Sequence, residues 1–493
     1  MANWDKTNIS MLWNNRFFRS IYRNKYPTDI RNRVMVILNS VALHLHPVKV
    51  PRKSLNVSYT WGLGGISTYL FLLLTVTGVL LMFYYIPSVE RAYGTMKEME
   101  TDISWGMFLR NLHRWGAHGM VITVFLHMVR VFLTGSYKTP RDFNWAMGVL
   151  MLTITNLLSF TGYLLPWDQL AIWAITVGTN MGGATPIIGD KIRFLLLGGY
   201  SVGQNTLIRW YTLHVIFLPL ALIVLMAVHF WRVRKDGGIT SPDEGDLAIA
   251  EANAGSSTPK LLGTAVKDKV FTWPHLVSIE MVGMLVVTIV LMVVSVLVNA
   301  PLEDMANADK TPNPAKAPWY FLGLQELLLH MHAALAGVIV PGLVLILLAF
   351  IPYVDRERAG VGRYFGTPNG KKIAAFAFIY TTVWILFLIL MNEFVGVRPG
   401  IIEPLIGAQG LNLGEPVVNF VVSILIPVVV TLFIPISLVY LVRKGWHAST
   451  REIMIALFFF FLASFIVLTI IGTAFRGTGM KLFWAWDLPP KIH

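Results

Sequence analysis

Four histidines stand as two matched pairs on two apolar segments, His113 and His127 on one and His214 and His229 on the other. Steps of 14 and 15 residues return to roughly one helix face, about 21–23 Å apart along the axis. That interval leaves room for two stacked sites inside one membrane. Imidazole is a good iron ligand, so two helices that each offer a histidine at two depths could clamp two flat haem groups. The implied chemistry is one-electron transfer along a di-haem wire. A lone histidine in a spanning helix is often no more than a hydrogen-bonded polar residue, but four in register are hard to explain that way.

The elements that must carry these histidines are membrane helices. Hydrophobic residues make up 55% of the 493 residues and charged residues 14%, and the mean hydropathy is +0.61. An all-α integral membrane protein is expected. Runs of spanning length fall near 60–86, 117–134, 146–165, 211–231, 276–299, 335–353, 373–395, 417–442 and 453–474, which makes nine transmembrane helices. None shows the short alternation of a membrane barrel. The chain has no cysteine, which excludes disulfides, thiolate-held clusters and thioether-linked haem. No secretory signal peptide is evident in the basic first 55 residues.

Positive charge gathers in alternate loops: residues 1–55 (Arg16, Arg19, Arg23, Lys25, Arg31, Arg33, Lys49, Arg52 and Lys53), 130–141, 232–235, 356–372 and 443–451. The loops between them are neutral or acidic. By the positive-inside rule the N-terminus is cytoplasmic and the C-terminus outside. This alternation supplies no single basic face, so no nucleic-acid partner is expected.

Under that topology the second and fourth spans run parallel, which sets His113 level with His214 near the outer face and His127 level with His229 near the cytoplasm. The first and third spans carry glycines 14 residues apart, Gly64 and Gly78, then Gly148 and Gly162. Gly78 and Gly162 fall at the outer level, Gly64 and Gly148 at the inner. Glycine lets a bulky planar ring approach a helix backbone, and 14 residues is too long for one small-residue packing motif. Arg110 and Arg114 flank His113, and Arg130 lies one turn past His127. Such cations could pair with haem propionates, although interfacial arginines also snorkel.

Five blocks are expected: a cytoplasmic amphipathic segment at 1–55, a four-helix di-haem bundle at 56–235, a cytoplasmic linker at 236–272, two helices with a quinol-site segment at 273–353, and three further helices at 354–493. The first block contains a candidate surface helix, Asn15–Arg23. No repeat of fixed period is present.

The runs L-R-N-L-H-R-W-G-A-H, G-Y-L-L-P-W-D-Q (Gly162 to Gln169), S-V-G-Q-N-T-L-I-R-W-Y-T-L-H (Ser201 to His214) and H-F-W-R-V-R-K (His229 to Lys235) resemble cytochrome b of quinol:cytochrome c oxidoreductases. The 14 residues within the second pair and the P-W-D-Q string resemble the chloroplast and Gram-positive branch, here in a fused form. The resemblance is specific over 50–235, good over 270–353, and fades over 354–493. It implies a respiratory or photosynthetic electron-transport subunit that oxidises quinol at the outer face. One electron would go to a Rieske iron–sulfur protein and the other across two non-covalent b-type haems to an inner quinone site, contributing to proton translocation. A c-type cytochrome, membrane lipid and a homodimeric assembly in an energy-transducing membrane, such as a bacterial cytoplasmic membrane, complete the implied setting.

By the same resemblance His113 and His214 bind the outer haem, His127 and His229 the inner, with Arg110 and Arg130 as propionate partners. Trp319 and Tyr320 belong to the outer quinol pocket, and Arg232 faces the inner site. Two departures stand out. Gly62 occupies the place of a cysteine that carries a further haem in the chloroplast-type branch. Ala317-Pro318-Trp319-Tyr320 replaces Pro-Glu-Trp-Tyr, whose carboxylate is thought to take a quinol proton. Glu326, His330 or His332 is then the expected substitute acceptor, and the missing Glu points to a low-potential quinone such as menaquinone. The alternatives are a di-haem anchor of another quinone-linked enzyme, with other histidine spacings and no P-W-D-Q string, and a transporter, which would not need glycines matched to histidine depth.

Overall fold

The computed structural model describes residues 29–40, 43–254, 266–395 and 415–487, and among them nine helices are long and apolar enough to cross a membrane. The helices used below are α1 (Leu63–Met82), α2 (Gly106–Leu133), α3 (Asp142–Tyr163), α4 (Gln169–Gly183), α5 (Gln204–Lys235), α6 (Thr272–Leu297), α7 (Trp319–His330), α8 (Leu335–Val354), α9 (Gly370–Phe394), α10 (Val417–Trp446) and α11 (Thr450–Ala474). All but α4 and α7 are of spanning length. The candidate surface helix Asn15–Arg23, with Arg16, Arg19, Arg23 and Lys25, lies outside the described residues, as does the middle of the expected linker.

In the first half α1 packs on α2, and α3 packs on both α2 and α5. The helices that carry histidines therefore lie against the helices that carry matched glycines. Leu70, Met120, Leu222 and Met226 meet between the two histidine levels and form the apolar middle of this bundle. A short antiparallel ladder pairs Val50 with Val270 and ties the approach to α1 to the start of α6.

Proline shapes three of the spans in one way. Its missing N–H and its ring, which clashes with the carbonyl four residues back, are accommodated by one wider turn. Such turns cover Leu213–Phe217 before Pro219, Leu335–Ile339 before Pro341 and Val421–Leu425 before Pro427. In α5 the Leu213 carbonyl accepts from the Leu218 N–H, five residues on. A wide turn takes up one extra residue, so the 15-residue step from His214 to His229 matches the 14-residue step in α2.

The last helix is anchored at both ends. At its start Ser449 and Glu452 form a reciprocal cap, and buried Arg451 donates to the Phe132 carbonyl at 2.8 Å and pairs with Asp355 at 3.4 Å. Phe458 stacks on Phe132 with 3.8 Å between ring centres. Lys138 also pairs with Asp355, at 3.0 Å, and Tyr137 donates to it. Several basic loop residues that look solvent-facing in the sequence are thus tied down inside the protein. The expected linker is likewise partly built: Glu244–Asn253 is helical, and buried Glu244 accepts from Arg141 at 3.0 Å and from the Ser241 N–H at 3.0 Å. Its Gly, Ser and acidic composition read as a loop because the Arg141 partner is 103 residues away.

Candidate functional site

At one level His113 of α2 and His214 of α5 face each other with ring centres 6.3 Å apart and planes at 78°. Two imidazoles sharing one metal would have centres about 6 Å apart, from two bonds of about 2 Å and about 1 Å from each nitrogen to its ring centre. The tautomers agree with that role. The His214 Nδ1 lies 3.1 Å from the Leu158 carbonyl, which can only accept, so Nδ1 carries the proton and Nε2 keeps its lone pair. The Thr161 hydroxyl, 3.0 Å from the same Nδ1, donates to that carbonyl as well. For His113 the Thr77 hydroxyl gives its hydrogen to the Leu73 carbonyl at 2.8 Å and accepts from Nδ1 at 2.8 Å. Both threonines immediately precede the matched glycines.

The glycines hold the rings close. A Cβ on Gly78 would lie 3.2 Å from His113 Cε1, one on Gly64 3.3 Å from His127 Cε1, and one on Gly162 2.6 Å from His214 Cε1. At the second level His127 lies within electrostatic reach of His229, and Gly148 faces open space, with nothing within 4 Å of an added Cβ. Gly62 adopts a left-handed φ of 61°, which suits glycine at the entry to α1.

The arginines divide into engaged and available. Arg110 donates to Glu100 at 2.7 Å and to the carbonyls of Ala300 and Pro301 at 2.9 and 2.8 Å, which engages three of its five N–H groups. The guanidinium of Arg114 lies 4.9 Å over the Tyr163 ring, and its buried Nε has no partner. Arg130 donates from Nε to the Tyr59 carbonyl at 3.2 Å and keeps a buried Nη2 without one. A buried, unpaired guanidinium N–H is costly unless an anion meets it; Arg114 stands next to His113 and Arg130 one turn past His127, and Arg141 and Arg232 also keep such nitrogens. Arg232 donates to the Pro140 carbonyl at 3.2 Å and pairs with Asp236 at 2.9 Å.

The P-W-D-Q string proves to be a staple. Asp168 caps α4 by accepting from the Ala171 N–H at 2.8 Å and also accepts from the Glu303 N–H at 3.2 Å. Gln169 exchanges bonds with Asn307, at 2.7 and 3.0 Å. These bonds fix the segment that leads to Pro318, where α7 begins.

On α7, Tyr320 is buried; burial pushes its phenol up to about 12 although Arg114 and a hydrogen bond with Ser159 act the other way, so it stays protonated. Trp319 donates from its indole nitrogen to His118 Nδ1 at 2.9 Å. His118 was not singled out among the paired histidines because nothing at its own helical interval matches it; its one signal is its place at the end of L-H-R-W-G-A-H. Glu326 is fully engaged, at 2.6 Å with Arg476 Nη2, 3.1 Å with its Nε and 3.1 Å with His330. Burial raises its carboxyl, but the bonds from His330 and Arg476 outweigh burial and hold it below the ordinary carboxylate value. That is the setting of a structural carboxylate, and it departs from the expectation that Glu326 accepts a quinol proton. His332 donates its backbone N–H to the Ser423 carbonyl at 2.9 Å.

Comparison with known proteins agrees with this arrangement. The family model "Cytochrome b/b6/petB" matches residues 48–237, and "Cytochrome b(C-terminal)/b6/petD" matches residues 305–397. Cytochrome b6 of Prochlorococcus marinus strain MIT 9515 is 46% identical over 182 residues, 37% of this chain and 84% of that protein. The strain AS9601 protein is 45% identical over the same length. A solved structure titled "Hyperthermophilic respiratory Complex III" superposes with a TM-score of 0.58 over 94% of this chain and 98% of that one, at 22% identity, which speaks to the fold. The chain belongs to the cytochrome b/b6 family. It is accordingly an integral membrane redox subunit of a quinol oxidoreductase complex, and membership implies b-type haem, held without thioether bonds because there is no cysteine. The second family match runs past the point where the sequence resemblance fades and takes in α9, which leaves α10 and α11 as the helices beyond both models.

Proposed function

We propose that this chain is the di-haem cytochrome b of a quinol:cytochrome c reductase, with quinol oxidised at the His113 end and quinone reduced at the His127 end. The carrying observation is the 6.3 Å His113–His214 pair, with both Nδ1 protons committed to Thr77, Thr161 and Leu158. His113 and His214 would hold one haem and His127 and His229 the other. When bound, each supplies a one-electron iron couple, so that one quinol electron can cross the membrane while the other leaves to a Rieske iron–sulfur partner and a c-type cytochrome.

The protein's own residues set the conditions for this. Fixed tautomers aim the Nε2 lone pairs inward. Arg114 and Arg130 offer unpaired N–H groups to carboxylates at their levels, and the matched glycines leave the rings clearance. Trp319 and Tyr320 wall the quinol pocket, whose approach segment is stapled by Asp168 and Gln169. The charge bias of the loops orients the His113 end outward and the N-terminus toward the cytoplasm. A low-potential quinone such as menaquinone and a homodimeric assembly complete the reading.

The test is purification of the complex from its native membrane, followed by addition of a short-chain menaquinol analogue. Quinol-dependent reduction of two b-type components, with a co-purifying iron–sulfur protein and c-type cytochrome, is expected. Absence of haem would favour the transporter reading, and two haems without those partners would favour a membrane anchor.

A further inference from the structure

His118 lies five residues past His113 on α2, about 140° around the helix, so it points away from the paired histidines. Its ring is held by aromatic neighbours: Trp115 with centres 5.5 Å apart, and Trp319 and Tyr320 each at 6.4 Å. An indole N–H can only donate, so the bond from Trp319 at 2.9 Å occupies the Nδ1 lone pair. In the neutral imidazole the proton then sits on Nε2. That donor has no hydrogen-bond partner among the described residues; the His118 side chain is half-buried, so its N–H is left free to meet an acceptor that enters beside the aromatic rings.

Among the other polar groups of this region Arg114 keeps a buried Nε without a partner, which the proposed function gives to a haem carboxylate, and Glu326 and Arg110 are engaged. Pro318 cannot bond through its side chain, Glu326 is locked to Arg476 and His330, and Arg110 is held by Glu100 and two carbonyls. Resting on the quinol-oxidising reading of this pocket, we propose that His118 recognises the quinol headgroup by donating its Nε2–H to a headgroup oxygen. Trp319 is the residue that fixes the tautomer. The pocket then contacts the headgroup through a neutral N–H donor beside the place where the family's carboxylate would stand. The preferred substrates are headgroups that set an acceptor oxygen at this point.

The chemistry of the two nitrogens gives a direct test in the purified complex. His118→Asn keeps an acceptor at the Nδ1 position for Trp319 but offers nothing at Nε2, whereas His118→Gln supplies an N–H at the Nε2 position. With a short-chain menaquinol analogue, KM should rise about threefold to tenfold in the Asn variant, the span of one lost hydrogen bond, and return most of the way in the Gln variant. The b-haem spectrum should be unchanged in both. Trp319→Phe, which keeps His118 but releases its tautomer, should also raise KM. A wild-type KM in the Asn or Phe variant, or equal loss in Asn and Gln, overturns the assignment. A wild-type complex that holds haem but shows no quinol-dependent reduction would instead overturn the quinol reading on which it rests.

Discussion

Arg476, just past the end of α11, grips Glu326 of α7 through two nitrogens, at 2.6 and 3.1 Å, with both side chains out of solvent. The same guanidinium reaches Glu393 at 2.9 Å and the Met480 carbonyl at 2.8 Å. One residue thus joins α7 and α9 to the segment after α11. Arg476→Met leaves the buried Glu326 carboxylate without its cation and should cost about 3–5 kcal/mol, read as a lowered thermal midpoint of the purified protein, whereas Glu326→Gln should cost less because Arg476 keeps Glu393. The double variant Glu326→Leu with Arg476→Met should recover much of that loss.

The pH dependence of this contact follows from its sign. The folded carboxyl lies below its ordinary value of 4.5, so the stabilisation is fully present above about pH 4.5 and is lost as pH falls through the lower folded value. Thermal midpoints of wild type and Arg476→Met should therefore converge on acidification. A gap that does not narrow on acidification would contradict this.

The matched glycines should not be equivalent. A Cβ at Gly162 would meet the His214 ring at 2.6 Å, and the ring is held by Leu158 and Thr161, so Gly162→Ala should lower haem content at that level even before cofactor size is considered. At Gly148 the added carbon meets nothing within 4 Å. Gly148→Ala should leave the haem-free fold as stable as wild type while reducing haem retention at the other level. Thermal melts with and without haem, beside pigment quantitation, separate the two cases.

The hydroxyls that hold the imidazoles differ in the same way. Among the described residues His113 depends on Thr77 alone for Nδ1, whereas His214 has the Leu158 carbonyl as well as Thr161. Thr77→Val should weaken haem retention about tenfold or more, within the about 10–100-fold usual for such outer partners, and Thr161→Val by less. Haem transfer to apomyoglobin measures both.

How much of this was readable in the chain depends on the range of the interaction. The spans and the paired histidines are written in local periodicity, from which the nine spanning helices among the described residues follow, whereas the family is legible in short runs such as G-Y-L-L-P-W-D-Q. The sequence also presents the 15-residue step of α5 as a near match to 14, but not the wide turn before Pro219 that reconciles them. What escapes is the pairing of distant charges. Arg476 and Glu326 are 150 residues apart, and Arg451 and Asp355 are 96 apart, and no local pattern links either pair. The His118–Trp319 bond spans 201 residues and is hidden for the same reason.

The central claim is that each histidine pair binds its own haem, and the most direct test is a redox titration of the b-type absorbance in the purified complex beside its His214→Leu and His229→Leu variants. The account predicts two components of different midpoint potential in wild type, one lost in the first variant and the other in the second. A single wild-type component, or loss of the same component in both variants, would contradict it.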